Sequence, residues 1–231
     1  QLNGSMKVDS ITRINAVGAT LPTPTVPTGK GKTPAPVKTN LPEVTFVQDQ
    51  VGVSDIGPSV RVDLGEMIVA NTPVTLRFKY TGILTSAQGG PLLTKRLAYV
   101  GSRDGYLMYA GRWFPFHNYA ADQATSDITV TIPSGFQVVG YSDAPVVNTG
   151  RKYRFVRTQP GLVGNFAYAK YTNKTLRFGE FEIQFYTKTP EDQLVADYGE
   201  TIGKALQFYT RQYGTPEMGK KLSVVQIDDD S

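Results

Sequence analysis

The sequence has no cysteine, one histidine and one tryptophan in 231 residues. Without cysteine, this chain forms no disulfide and offers neither a thiol nucleophile nor thiolate ligands for zinc. A single histidine, His117, excludes any metal site built from two histidines of this chain. The longest apolar runs fall far short of the ~20 residues that cross a bilayer, so we predict no transmembrane helix. These absences indicate that the chain alone carries little catalytic chemistry.

Charged residues are also few, at 19% of the chain, and 24 basic side chains stand against 20 acidic ones. The resulting charge of +4 is mild and spread along the sequence. It therefore gives little support to nucleic acid binding, which needs a concentrated basic surface. Thirteen tyrosines and eleven phenylalanines instead favour strands with aromatic faces. The length suits one large domain, or one domain with a tail.

Residues 1–42 differ in composition from the rest, because prolines alternate there with Thr, Gly and Lys. Such a segment buries too little apolar surface to offset its ordering entropy, so we predict an extended arm or linker. Within it, residues 29–33 read Gly-Lys-Gly-Lys-Thr. They do not form a phosphate-binding loop, since Val26 stands where that motif requires glycine and no strand leads into it.

Residues 43–188 show the two-residue alternation of apolar and polar side chains that is typical of strands. Short strands separated by Gly and Pro turns predict a mainly β domain, an antiparallel sandwich or curled sheet. The alternation slips by one residue at Gly179. We interpret the slip as a β-bulge that lets both flanking segments face one core.

One helix is predicted near the end of the chain, with Thr189 as its N-cap and Pro190 at its first position. Gly214 and Pro216 end it. Its apolar residues recur at helical spacing on one face; they are Leu194, Val195, Tyr198, Ile202, Ala205, Leu206, Tyr209 and Tyr213. A further strand, Leu222–Ile227, follows.

Four segments resemble functional motifs, and for each we favour a structural interpretation. His117 has no nucleophile motif near it, and residues 140–144 fail the nucleophile-elbow pattern at the last position. The acidic run 228–230 is better explained as a solvated end than as a cation site, because successive strand residues point to opposite faces. The basic and aromatic residues of 151–157 fit a solvent-facing strand better than a polyanion site.

Several short motifs occur in a suggestive order. Residues 111–115 read Gly-Arg-Trp-Phe-Pro, Ala121-Asp122 follows, and 128–135 form a strand that ends in Pro-Ser-Gly. Upstream, 76–82 form a strand that ends in Tyr-Thr-Gly. This order resembles the N-terminal domain of the membrane-alanyl-aminopeptidase-like zinc metallopeptidases, the gluzincin aminopeptidases.

The same resemblance extends downstream and covers roughly residues 51–230. The predicted helix, with its Tyr-Gly-Thr-Pro ending at 213–216, is similar to the helix that opens the family's catalytic domain. The resemblance thus implies that 189–231 is the start of a truncated catalytic domain. It further implies a non-catalytic N-terminal domain that packs on its own downstream catalytic domain and shapes the cleft for a peptide substrate.

The family's zinc motif, His-Glu-x-x-His, does not occur in this sequence. The resemblance therefore implies zinc in the missing catalytic domain, with no catalytic, metal or cofactor residue in this chain. Many members lend the substrate amine a residue from a Thr-Gln-x-Glu stretch. The corresponding stretch here, 103–106, reads Arg-Asp-Gly-Tyr and lacks that pattern, so Asp104 is the single candidate to replace it as a substrate-cleft residue.

A second hypothesis keeps the chain self-sufficient, as a β-sandwich module that binds a ligand or carbohydrate through exposed aromatic rings. Trp113 distinguishes the two hypotheses: an aminopeptidase-like domain buries it beside a core strand, whereas a sugar-stacking module exposes it. The proline-rich arm and the absence of cysteine favour an exported protein, periplasmic or extracellular.

Overall fold

The computed structural model describes residues 2, 5–14, 43–49, 59–84, 96–116, 123–216 and 219–228. They fall into two compact units, Gln1–Ile83 and Leu84–Ser231. This division lies inside the predicted 43–188 domain, so neither predicted boundary coincides with it. The predicted mainly β fold, with antiparallel sheets and one C-terminal α-helix, is confirmed for the described residues.

The described residues of the unit Gln1–Ile83 form four strands: β1 Met6–Ile14, β2 Thr45–Gln48, β3 Val60–Asp63 and β4 Thr75–Gly82. β1 pairs antiparallel with β4, and β2 pairs antiparallel with β3. Main-chain bonding also joins the residues before β2 to β1, since the amide of Val44 donates to the carbonyl of Ile11. The side chains of β1 that point to one side form the buried centre of this unit.

β1 lies inside the predicted arm 1–42 and corrects that prediction for Met6–Ile14. The sequence conceals the strand because its register shifts just after Val8, which breaks the two-residue alternation. The shift lets Val8 and Ile11, three residues apart, be buried together. The proline-rich remainder of the arm, residues 15–42, lies outside the described residues.

The unit Leu84–Ser231 begins with two sheets that share one core. Their strands are β5 Ala98–Val100, β6 Gly105–Leu107, β7 Ala124–Thr131, β8 Gln137–Gly140, β9 Val147–Asn148, β10 Lys152–Gly161 and β11 Phe166–Ala169. The strand orders are β5-β6-β11-β8 and β7-β10-β9. Phe155 of β10 meets Phe166 of β11 edge to face at 5.0 Å between ring centroids. Both rings are almost fully buried, so this contact joins the two sheets.

A hairpin of β12 Thr172–Phe178 and β13 Phe181–Thr187 replaces the bulge predicted at Gly179. Gly179 has a φ of +59° and sits in the tight turn between the strands, where glycine carries no Cβ penalty. Phe178 pairs directly with Phe181, so the chain reverses where the alternation slips. The two segments do face one core, but as neighbouring strands.

The helix α1, Asp192–Tyr213, connects this hairpin to β14, Lys221–Val225, which pairs parallel with β13. The helix begins two residues later than predicted, with Glu191 as its N-cap. The hydroxyl of Thr189 donates to the Glu191 side chain at 3.0 Å, so it does not cap a backbone amide. Gly214 ends the helix as predicted, with a positive φ of +89° that glycine adopts without a Cβ penalty.

The buried face of α1 is narrower than the predicted apolar face. Val195, Gly199 and Gly203 are its buried residues, and they pack on the β12–β13 hairpin. Five members of the predicted face are exposed instead: Leu194, Tyr198, Ala205, Tyr209 and Tyr213. The helix thus carries a second, solvent-exposed apolar stripe, which we call the exposed stripe of α1. No helix among the described residues is long and apolar enough to span a membrane.

Candidate functional site

Asp104, the predicted substrate-cleft residue, lies in the short turn between β5 and β6. Its carboxylate forms an ion pair with Lys188, which directly follows β13. Both side chains are largely buried, at 18% and 19% exposure. The ammonium of Lys188 also contacts the carboxylate of Asp228 at 2.6 Å. We call this group, Asp104, Lys188 and Asp228, the ion-pair clasp.

The protein around the clasp holds it in place. The backbone amide of Lys188 donates to the side-chain oxygen of Gln226 at 2.8 Å. Burial lowers the pKa of Lys188, but hydrogen bonds and attraction from both carboxylates outweigh it and raise the pKa above its ordinary value. The hydrogen bond from Lys188 lowers the pKa of Asp228. Burial, reinforced by both nearby carboxylates, raises the pKa of Tyr171.

The clasp makes the Asp104 carboxylate less available to a substrate amine. A substrate amine that sought this carboxylate would have to displace Lys188, an ammonium already supplied by the chain. Asp228 is 62% exposed but paired, whereas Asp229 and Asp230 lie outside the described residues. Sequence reasoning missed Lys188, because its partner is 84 residues away and no local motif marks it.

A cavity of about 930 Å³ lies in the unit Leu84–Ser231. β6, β8, β11 and β14 and their adjoining segments contribute to its wall. Five aromatic residues line it: Tyr106, Tyr109, Phe116, Tyr141 and Phe166. Three cationic residues also line it, Arg157, Lys220 and Lys221, and none of the described lining residues is Asp or Glu. Its size lies in the range of small-molecule sites, roughly 300–1,000 Å³.

The rim of this cavity is built on an irregular end of β10, where pairing with β7 shifts between Arg157 and Gly161. Asp143 fixes this segment by accepting hydrogen bonds from the amides of Thr158 and Gln159, at 2.5 and 3.2 Å. The pKa of Asp143 is lowered to about 2, chiefly by a hydrogen bond from the Tyr141 hydroxyl and next by the bonds from those two amides.

The basic strand predicted at 151–157 divides into two environments. Arg154 is exposed and forms a two-pronged ion pair with Asp127 at 2.8 and 2.6 Å, which confirms a solvent face there. Arg157 instead lines the cavity and stacks over the Tyr141 ring, 5.1 Å from its centroid. His117, the other candidate singled out from the sequence, lies outside the described residues.

Trp113 is half-buried beside the shared core of the two sheets. Its ring meets Phe166 edge to face at 5.8 Å, and its indole nitrogen is buried. A ring that stacks on a sugar has to present an open face to solvent. The packing of Trp113 against Phe166 therefore disfavours the carbohydrate-binding hypothesis.

Metal ligands are sparse in the part of the chain that the structure describes. There, no three His, Cys, Asp or Glu side chains lie together in a group suited to a metal ion. The sequence as a whole adds one histidine and no cysteine.

Comparison with known proteins places the fold. No protein-family profile matches the chain, and no curated protein matches its sequence. Native LTA4 hydrolase from yeast aligns with 96% of this chain at a TM-score of 0.54 and 14% identity, and the chain spans 31% of that protein. Aminopeptidase A from Legionella pneumophila, solved with aspartic acid, aligns with 80% at a TM-score of 0.49 and 13% identity, over 24% of its length. At such identity, the alignment with the yeast enzyme shows a shared fold.

Proposed function

We propose that this chain is the non-catalytic N-terminal region of an aminopeptidase-like zinc metallopeptidase, which packs on the catalytic domain and shapes its substrate cleft. The observation that carries the proposal is the alignment with yeast LTA4 hydrolase, which takes in nearly all of this chain and under a third of that enzyme. In this account the remaining length supplies the catalytic domain and the zinc ligands. The peptide substrate is bound chiefly there.

The exposed stripe of α1 supports a packing role. Tyr198 and Tyr209 are more than half exposed, and Tyr213 is 83% exposed, although the helix pattern marks all three as apolar-face residues. Contiguous exposed apolar surface typically marks an interaction site. The proposal assigns the stripe to contact with the catalytic domain.

The ion-pair clasp determines whether Asp104 contributes its charge to the substrate cleft. Because the Asp104 carboxylate is already paired with Lys188, the proposal does not use it to bind the amino group of a substrate. The chain then acts by shape and by supporting the cleft wall, and not by the amine contact that Asp104 alone suggests. Export to the periplasm or the cell exterior remains part of the proposal.

The first test asks whether the 231-residue chain acts alone. We expect the purified chain to show no chelator-sensitive hydrolysis of leucine p-nitroanilide and no tight zinc binding in equilibrium dialysis. Chelator-sensitive hydrolysis would overturn the non-catalytic assignment.

The second test examines the packing role directly, by hydroxyl-radical footprinting of the isolated chain and of the native protein captured from cells. We expect Tyr209 and Tyr213 to be modified in the isolated chain and protected in the native protein. Met67, which is 99% exposed, serves as the control that should react in both. Equal modification of the tyrosines in both samples would contradict the assigned interface.

A further inference from the structure

The cavity of the unit Leu84–Ser231 combines an aromatic wall with charge of a single sign. Its lining residues include three cations and, among those described, no acid. Two of the cations have partners of their own: Lys220 contacts Glu180 at 2.6 Å, and Lys221 contacts Glu182 at 3.7 Å. Arg157 is the exception, because none of its contacts in the described part of the chain is with a carboxylate.

The guanidinium of Arg157 is held in position without being neutralised. Its Nε donates to the carbonyl of Gln159 and its Nη1 to the carbonyl of Leu162, both at 3.3 Å. The ring of Tyr141 supports it from one face at 5.1 Å. These contacts use a minority of the five N–H donors of arginine. Because carbonyl groups and aromatic rings carry no net charge, the guanidinium keeps its full positive charge.

The local backbone lies close to this guanidinium. A Cβ at Gly161 would stand 2.2 Å from Nη2 of Arg157, so a larger residue there would require the guanidinium to shift. Asp143, which follows the cavity-lining residues Tyr141 and Ser142, uses one carboxylate oxygen for the amides of Thr158 and Gln159 and for the Thr158 hydroxyl. The acid therefore fixes the segment on which Arg157 is mounted. A pre-positioned guanidinium loses less side-chain entropy when it binds an anion.

We propose that this cavity binds a small anion with an aromatic body, whose carboxylate pairs with Arg157 while its rings contact the aromatic wall. A planar carboxylate matches the fork of a guanidinium. Flat rings gain edge and face contacts with tyrosine and phenylalanine. The absence of acids among the described lining residues disfavours cationic ligands. The inference concerns this chain alone and does not depend on the proposed metallopeptidase role.

The test is a calorimetric titration of the 231-residue chain with 2-naphthoate. The matched probes are 2-naphthylmethylammonium, which has the same rings with the opposite charge, and the neutral 2-naphthalenemethanol. We expect saturable binding of the carboxylate at one site, at least tenfold tighter than the ammonium probe. No saturable binding of 2-naphthoate, or equal affinity for the two charged probes, would overturn the proposal.

Variants of Arg157 test whether its guanidinium binds the carboxylate of 2-naphthoate. Charged hydrogen bonds of this kind correspond to a loss of roughly tenfold or more in affinity when one partner is removed. We expect that loss in R157Q and partial recovery in R157K. Arg154→Gln is the matched control, since Arg154 lies on the same strand but faces solvent with Asp127 and does not line the cavity. Unchanged affinity in R157Q, or an equal loss in R154Q, contradicts the assignment.

A second measurement keeps the proposal testable if R157Q fails to fold. In the wild-type chain, NMR shift changes on addition of 2-naphthoate should centre on the rings of Tyr141 and Phe166, which line the cavity. Shifts that centre on Tyr198 and Tyr209, in the exposed stripe of α1, would show that the rings bind elsewhere and would overturn the proposal.

Discussion

Gly203 of α1 offers a sharp test of how the helix packs on the β12–β13 hairpin. In Gly203→Ala, the added Cβ would lie 2.3 Å from Cγ, 2.6 Å from Cδ1 and 2.8 Å from Cβ of Phe178. These atoms are the rigid root of the ring, so the helix or the strand has to move. Overpacking costs about 1–3 kcal/mol, and close contacts with three rigid atoms put this case in the upper part of that range, about 2–3 kcal/mol. Replacing a mid-helix glycine by alanine returns about 1 kcal/mol through helix propensity.

The net expectation is that Gly203→Ala lowers the free energy of unfolding by roughly 1–2 kcal/mol. Gly199→Ala is the matched control on the same face. Its Cβ would lie 2.4 Å from Cδ1 of Leu176, the far end of a flexible side chain that can rotate away. For Gly199→Ala we therefore expect a change within about 0.5 kcal/mol of zero, because repacking and propensity nearly cancel.

The assay is urea unfolding followed by circular dichroism at 222 nm, which reports mainly on α1. Gly203→Ala should also lower Tm by roughly 2–8 °C, given about 2–4 °C per kcal/mol for a chain of this size. A Phe178→Leu background should reduce the penalty, since a smaller side chain removes the ring. If Gly203→Ala is as stable as wild type, or if the two glycine variants behave alike, the described packing of α1 is wrong.

Three further predictions concern the same unit. Val195→Ala should cost about 2 kcal/mol of unfolding free energy, from two buried methyl groups and the space they leave, whereas Leu194→Ala, 45% exposed in the wild type, should change it little in the same urea assay. Lys188→Gln should destabilise the chain at neutral pH, because it removes the cation of the ion-pair clasp. In the wild type, the raised pKa of Lys188 adds stability that is lost above pH ~10.5, and the lowered pKa of Asp228 adds stability that is lost below pH ~4. A variant that stays folded over a wider pH range than the wild type would contradict the clasp. Fluorescence of Trp113 should be blue-shifted and weakly quenched by acrylamide, and a red, readily quenched signal would restore the carbohydrate-binding hypothesis.

The sequence predicted the fold class because most strands keep a regular alternation. β4 and β7 follow it closely, and the helix has both a periodic apolar pattern and a terminal glycine, Gly214. Where the alternation is broken, the prediction failed. At Val8 a register shift concealed β1, and at Gly179 a hairpin turn produced the slip expected of a bulge. In the sequence, a β-bulge and a tight hairpin turn both appear as a one-residue slip in the alternation.

The candidate sites were less predictable because their residues meet only in the fold. Asp104 could be singled out through the family resemblance, but its partner Lys188 comes from another sheet. Arg157 belongs to a run of basic residues that otherwise faces solvent, and the irregular end of β10 sets it apart. The helix periodicity likewise predicted one apolar face where α1 has a buried face and an exposed stripe. Tyr198 and Val195 are both apolar, but only Val195 contacts the hairpin.

The mass of the native protein tests the central claim most directly. An antibody raised against this chain would capture the protein from its source cells, and mass spectrometry of the captured polypeptide would give its length. The account predicts a polypeptide far heavier than 25.3 kDa, with a zinc-binding His-Glu-x-x-His sequence beyond these 231 residues. A native polypeptide of 25.3 kDa would contradict the metallopeptidase assignment.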